Sequence, residues 1–381
     1  MKRIFTVFLC LLLLSGCGSP PVSVPDSTPE PSSLEPPEPV PPDHTEQDPA
    51  DDLLSSMTLE EQVGQLFFVR CPESGAAEDI RAYHLGGYLL FGRDFKDRTA
   101  NEIVQTIAGY QAASSIPLLI GVDEEGGTVV RVSSNPHIRS EKFAAPQRLY
   151  ALGGLERISA DTHEKDLLLS ALGINVNFAP VCDVSTNPGD FIYDRSFGQD
   201  AQATAEYVSR TAARMAADHM GSVLKHFPGY GNNADTHTGI AVDQRSMETF
   251  RTSDFLPFSA GMDAGGGNTA VLVSHNIVQA MDPELPASLS PEVHRILREE
   301  LGFDGVAMTD DLAMDAVAAY AGDGGAAVLA LRAGNDMVVT TDYRTQIPRV
   351  LQALEAGELE EAVIHTACRR VLQWKSALGL L

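Results

Sequence analysis

Eight short apolar runs, separated by stretches of helical periodicity, constrain this sequence more than any other feature. They occupy residues 66–69, 87–91, 117–123, 174–180, 222–226, 270–275, 305–310 and 336–340. Strands that alternate with helices imply a parallel sheet, because a parallel crossover needs room for a helix, and eight strands close a barrel. The expected fold class is therefore α/β, a single (β/α)8 TIM-type barrel preceded by a signal peptide and a disordered Pro-rich tether. Helix signals agree with this frame. Thr58 with Glu61 three residues on has capping-box spacing, and Ser290-Pro291 places an N-cap before a first-turn proline. Amphipathic helices are expected over 344–376, closing the chain. Several runs begin apolar and end polar, at Asp123, Lys225-His226, His275 and Asp310. A barrel gathers chemistry at the carboxyl ends of its strands, so these positions are the first candidates for a site.

The front of the chain follows other rules. Lys2 and Arg3 precede an apolar run over 4–14 and then Ser15-Gly16-Cys17. That reads as a secretory signal, too short to span a bilayer as a mature helix. L-S-G-C resembles a bacterial lipobox, which implies lipidation at Cys17. Residues 18–50 hold eleven of the chain's 23 Pro, with seven acidic residues and no Lys or Arg. Such a stretch buries too little apolar surface to offset its ordering entropy, so a semi-extended tether is expected. At about 3.1 Å per residue it reaches up to roughly 100 Å. The domain reading is a lipoprotein signal over 1–16, the lipidated Cys17 and linker over 17–50, and a catalytic barrel over 51–381. The location implied is extracytoplasmic, anchored by lipid to the cell membrane. Cys71, Cys182 and Cys368 are too scattered for a disulfide framework and are expected to be buried.

With 52 acidic against 27 basic residues, the net charge of −25 argues against a nucleic-acid partner. Four segments carry chemistry. K-H-F-P-G-Y-G, from Lys225, leaves a strand end and leads to Asp235 and His237, spaced so that an extended backbone projects both to one side. A carboxylate there can orient an imidazole and raise its basicity. G-V-A-M-T-D-D-L places Asp310 and Asp311 at a strand end, where periodicity alone does not decide which faces the barrel mouth. G-V-D-E-E-G-G carries Asp123, able to accept two sugar hydroxyls, with Arg131 downstream, and D-R-S-F-G carries Arg195 in a loop.

Together these segments, with M-T-L-E-E-Q-V-G-Q-L, P-A-S-L-S and L-G-F-D-G-V, resemble family 3 glycoside hydrolases of the bacterial β-N-acetylglucosaminidase branch. The resemblance covers essentially the whole body. It implies a retaining exo-β-N-acetylglucosaminidase acting on terminal β-linked GlcNAc of cell-wall-type saccharides. Asp310 would be the nucleophile of a covalent glycosyl-enzyme, and Asp235 with His237 the acid–base dyad. Sugar-binding positions would be Asp123, Arg131, Arg195, Lys225 and His226. No cofactor or metal is implied, and a monomer is expected. Two departures stand out: Tyr230 occupies the place of a second His, and the loop before Asp235 is one residue shorter than usual.

Other readings use the same residues. Phosphate in place of water would make a β-N-acetylglucosaminide phosphorylase. A metal hydrolase would recruit His226, His237, His275 and an Asp as ligands. A substrate-assisted hexosaminidase would use Asp123-Glu124. A lipid-anchored sugar-binding protein would need no nucleophile.

Overall fold

A computed structural model describes residues 49–233, 241–314, 317, 320, 322 and 325–381. Contacts separate Met1–Glu46 from Gln47–Leu381, and all described residues fall in the second unit. Cys17, the signal and most of the tether lie outside the described residues, as do Asp235 and His237.

Ten strands are described: β1 (Phe67–Arg70), β2 (Gly87–Leu90), β3 (Leu119–Val122), β4 (Val176–Asn177), β5 (Gly221–Phe227), β6 (Val242–Asp243), β7 (Thr269–Val273), β8 (Ile277–Val278), β9 (Ala307–Thr309) and β10 (Val338–Thr340). Eight of them, one from each apolar run, pair in the order β10-β1-β2-β3-β4-β5-β7-β9, and all those pairings are parallel. The ring closes between β9 and β10, where Asp336 N donates to Ala307 O at 2.8 Å and Thr309 N to Met337 O at 3.2 Å. Asp336 reinforces this seam, its Oδ2 accepting Ala307 N at 2.8 Å. The α/β barrel expected from the alternation is thus the fold, with β6 and β8 as a separate parallel pair above it.

Strands are shorter than the runs that encode them. In the run 174–180 only two residues are strand, and Asn175 just before them adds side-chain bonds to its backbone bonds with Ile120 and Gly221. Its Oδ1 accepts Ile120 N at 2.8 Å and its Nδ2 donates to Leu118 O at 3.0 Å. Inside the barrel Phe68 and Phe178 meet edge to face at 5.3 Å. Fully burying such a ring is worth roughly 1.5–3 kcal/mol. Room for the pair comes from Gly121 on β3, where an added Cβ would lie 2.6 Å from Phe68 and 2.8 Å from Phe178.

Helices fill the connections: Ala76–Tyr83, Ala100–Ala113, Pro146–Ala171, Ala201–Ala217, Phe255–Gly265, Pro291–Arg295 with the π-turn Ile296–Glu300, and Ala326–Ala333. The Thr58 capping box forms, Thr58 N donating to Glu61 Oε2 at 2.8 Å and Glu61 N to Thr58 Oγ1 at 3.2 Å. The Ser290 cap forms as well, ahead of Pro291. Tyr343–Glu355 and Glu361–Ala377 end the chain, close to the expected span. The last helix is tied to helix Leu59–Gln65 by Lys375, whose buried Nζ donates to Gln65 Oε1 at 2.6 Å. Burial pushes its pKa down to about 7. Cys71, Cys182 and Cys368 are buried free thiols, as expected.

Candidate active site

At the carboxyl ends of the barrel strands lies a cavity of about 340 Å³, lined in part by Asp123, Arg131, Arg195, Lys225, His226 and Asp310. Those are all the described residues to which the family resemblance gave a catalytic or sugar-binding role, brought together from five separate stretches of chain. A second cavity of about 350 Å³, beside Gly266, Phe303, Asp304 and Arg370, lies among residues that precede β7 and β9. It is therefore at the opposite, amino-terminal end of those strands, the end that ordinarily serves stability.

The β3–β5 side of the upper cavity is a lattice of charges. Lys225 donates to Asp123 Oδ1 at 2.7 Å and reaches Glu125 Oε1 at 2.6 Å. Arg195 grips the same Glu125 with two bonds, NH2 to Oε1 at 2.7 Å and Nε to Oε2 at 3.0 Å. Arg131 approaches the other oxygen of Asp123 at 3.5 Å. Burial alone would raise the pKa of Glu125, but Lys225 and Arg195 outweigh it and hold the carboxyl well below its usual range. Arg195 is correspondingly raised: burial acts against its charge, and Glu125 more than compensates.

His226 is fixed at both ring nitrogens. Nδ1 lies 2.7 Å from Asp183 Oδ2 and Nε2 lies 3.2 Å from Arg195 NH2. A guanidinium only donates, so Nε2 accepts and Nδ1 carries the proton given to Asp183. Asp183 also accepts the backbone N–H of His226 at 3.2 Å and of Tyr230 at 2.7 Å. The Lys225–His226 peptide is cis, and both side chains line the cavity. Tyr230, at the position of the departing motif residue, packs its ring edge to face on His226 at 5.3 Å and is buried.

Beyond β5 the K-H-F-P-G-Y-G turn is clamped by Arg245, which donates to Asp243, to Asp254 at 2.9 Å and to Gly229 O at 3.1 Å. Gly229 has φ 125°, and an added Cβ would lie 2.3 Å from Asp254, so only glycine fits. Burial raises the Asp254 carboxyl to about 6 against the pull of Arg245.

On the β9 side, Asp310 and Asp311 both line the cavity, but their bonds differ. Asp310 N donates to Val273 O at 3.0 Å, continuing the ladder to β7, and Asp310 Oδ1 accepts Asp311 N at 2.8 Å. Asp311 turns its carboxylate to the loop, accepting Ala313 N at 3.0 Å and the Thr341 hydroxyl at 3.0 Å. That is the local turn role expected of a short acidic side chain.

Two expectations change. His275, although it follows a strand, does not line the cavity. It is fully buried, with Nδ1 2.7 Å from Ser288 Oγ and Nε2 3.1 Å from Asp311 O. Its ring supports the Asp311 turn, and with His226 engaged by Asp183 and Arg195, neither histidine has the open nitrogen that the metal reading needs. Glu124, the second carboxylate of the substrate-assisted reading, is also fully buried. It accepts Arg131 N and Val132 N at 2.7 Å and Ser133 N at 3.1 Å, so it is a loop anchor.

Glu125, Asp183 and Arg70 belong to the site's structure, and none was singled out from sequence. D-E-E does not reveal which acid faces Lys225, and Asp183 follows an apolar P-V-C that reads as core. Arg70 ends β1 as Asp310 follows β9, so the same strand-end rule would have found it one residue past the run 66–69.

The glycosyl hydrolase family 3 N-terminal domain matches residues 58–374. A beta-hexosaminidase of Xanthomonas campestris pv. campestris is 33% identical over 299 residues, which cover 77% of this chain and 88% of that protein. One of Xylella fastidiosa is 35% identical over 308 residues, with 77% and 88% covered. Among solved structures, a family 3 β-N-acetylglucosaminidase from Paenibacillus sp. str. FPU-7 superposes with TM-score 0.79 at 30% identity, covering 85% of this chain and 63% of that one. A β-N-acetylhexosaminidase from Beutenbergia cavernae superposes with TM-score 0.72 at 30% identity, covering 85% and 99%.

Proposed function

The chain belongs to glycosyl hydrolase family 3 and is a glycoside hydrolase, and we propose that it removes terminal β-linked N-acetylglucosamine from saccharides of the cell-wall type. The observation that carries this reading is one cavity holding both a braced polar set, Asp123, Lys225, Arg195 and His226, and a strand-end carboxylate, Asp310. The family assignment sets aside a non-catalytic sugar-binding protein.

In the proposed mechanism the sugar hydroxyls bond to Asp123, Arg131, Arg195 and Lys225, while His226, held between Asp183 and Arg195, lines the sugar site and positions Arg195. Asp310 attacks the anomeric carbon and displaces the leaving oxygen, while His237, oriented by Asp235, gives that oxygen a proton. Water, deprotonated by the same His237, then releases the sugar with retention. The engagement of His226 by Asp183 and Arg195 supports this division of labour, since a histidine bonded at both nitrogens is a poor proton shuttle. An imidazole acid beside a carboxylate nucleophile also avoids the repulsion of two carboxylates. The leader, Cys17 and the tether would hold this barrel outside the cytoplasm on a lipid anchor.

A 2-fluoro sugar bearing an activated leaving group tests the nucleophile. The expected result is one added sugar, mapped by peptide mass analysis to Asp310. Labelling at another residue, or turnover with no trapped sugar, would overturn the mechanism.

A further inference from the structure

Arg70 is the last residue of β1 and lines the cavity two strands from β3 on one side and two from β9 on the other. Its guanidinium stands out from the other cations there. Lys225 and Arg195 are each bonded to carboxylates at 3.0 Å or less, and Arg131 pairs with Asp123. Among the described residues, no ion pair or hydrogen bond engages Arg70, and its Nε is buried without a partner. Asp94 contributes to the local field, but its Oδ2 accepts Phe91 N at 2.7 Å.

What holds Arg70 is a ring. Its Cζ lies 4.3 Å from the Phe91 centroid, and the Cζ of Arg131 lies 5.6 Å from the same centroid. A cation on an aromatic face is oriented without its donors being consumed. The Nε of Arg131 is likewise buried without a partner. Two guanidiniums on one ring repel each other and are partly withdrawn from water, an arrangement that an anion between or beside them relieves. The chain as a whole carries −25, so long-range charge does not attract an anion, and a local fork must.

We propose that Arg70 recognises an oxyanion at the active site, either a carboxylate carried by the saccharide or an inorganic phosphate. This deepens the glycosidase reading and rests on it. The fork geometry suits two-point bonding to planar or tetrahedral oxyanions, and Phe91 sets its orientation.

The test uses a matched pair: a GlcNAc disaccharide whose reducing sugar bears a carboxyalkyl ether, and the same compound with that acid as its methyl amide. In the full-length enzyme, Arg70→Met is expected to lower the acid-to-amide ratio of kcat/KM on the order of ten- to a hundred-fold, the range for a bond to a charged group. Arg70→Lys is expected to recover part of that ratio. Each protein is also assayed with and without inorganic phosphate, with sugar phosphate as the diagnostic product. A phosphate-dependent product that Arg70→Met abolishes identifies phosphate as the anion; a shift in the acid-to-amide ratio identifies the saccharide. If neither the ratio nor the phosphate response changes while both compounds are turned over, the inference is overturned. If the wild type turns over neither compound, the glycosidase reading fails instead.

Discussion

The two walls of the cavity are built on opposite electrostatic plans. On the β3–β5 wall, Asp123, Glu125, Arg195, Lys225, His226 and Asp183 bond to one another in a continuous chain. On the β9–β1 wall, Asp310 leans on the next residue's amide and Arg70 rests on an aromatic face. Buried charges survive only when paired, and breaking one member of a pair strands the other. The first wall is therefore preorganised for binding, and its residues carry stability and affinity together. On the second wall the bonds among the described residues run from Asp310 to backbone, Val273 O and Asp311 N, and from Arg70 to a ring, with no buried carboxylate–cation lattice like that of the first. We therefore expect its residues to weigh more on chemistry and specificity than on stability.

The sharpest way to break this comparison is at Asp310. Asp310→Asn keeps an oxygen for Asp311 N and removes the nucleophilic charge. We expect kcat to fall on the order of 10⁴-fold or more, with thermal stability nearly unchanged. A large drop in melting temperature would show that the β9 wall is braced after all.

Glu125→Gln should do the reverse, with stability leading. It leaves Lys225 and Arg195 short of a buried counter-charge, at a cost of about 3–5 kcal/mol in urea unfolding, alongside weakened substrate binding. Its pH signature has a definite sign. The folded Glu125 carboxyl is held below its ordinary value, so its contribution is present above the unfolded pKa of about 4.3 and fades as pH falls below it. The wild type should lose stability on acidification through that window more steeply than Glu125→Gln. Equal slopes would mean that Glu125 is not the braced acid described here.

Asp183→Asn acts one bond farther from the sugar. An amide nitrogen facing His226 Nδ1 would move the ring proton to Nε2, against the Arg195 guanidinium. The expected loss is about 2 kcal/mol in kcat/KM, roughly thirtyfold. Nitrogen chemical shifts of His226 should report the exchanged tautomer, and an unchanged tautomer would remove Asp183 from its proposed role.

The sequence reveals these two walls unequally, for physical reasons. The barrel was legible because eight apolar runs leave few alternatives, and Asp123, Lys225, His226 and Asp310 were legible because each stands at or just beyond the polar end of a run. His275 satisfied the same rule yet turns inward to Ser288 and the Asp311 carbonyl. Strand ends bend, and the rule cannot see the bend. Glu125 and Asp183 were invisible because their roles lie in what they touch across the barrel, 100 and 43 residues away in Lys225 and His226. The pair β6 and β8 escaped because two-residue strands carry no periodicity.

Asp311 gives the finest test, because it shares Asp310's place in the sequence pattern but not its bonds. Its carboxylate accepts Ala313 N and the Thr341 hydroxyl, and its carbonyl meets His275. Asp311→Asn preserves one acceptor for Ala313 N and disturbs only the Thr341 bond, worth about 1 kcal/mol. We therefore expect kcat/KM to fall by less than about tenfold, through a small shift of the turn that follows Asp310. Asp311→Ala should lose more, because Ala313 N and the Thr341 hydroxyl then both lose their side-chain acceptor. If Asp311→Asn instead matched Asp310→Asn in kcat, both acids would act on the substrate, and the division between a turn-forming and a reacting carboxylate would have to be abandoned.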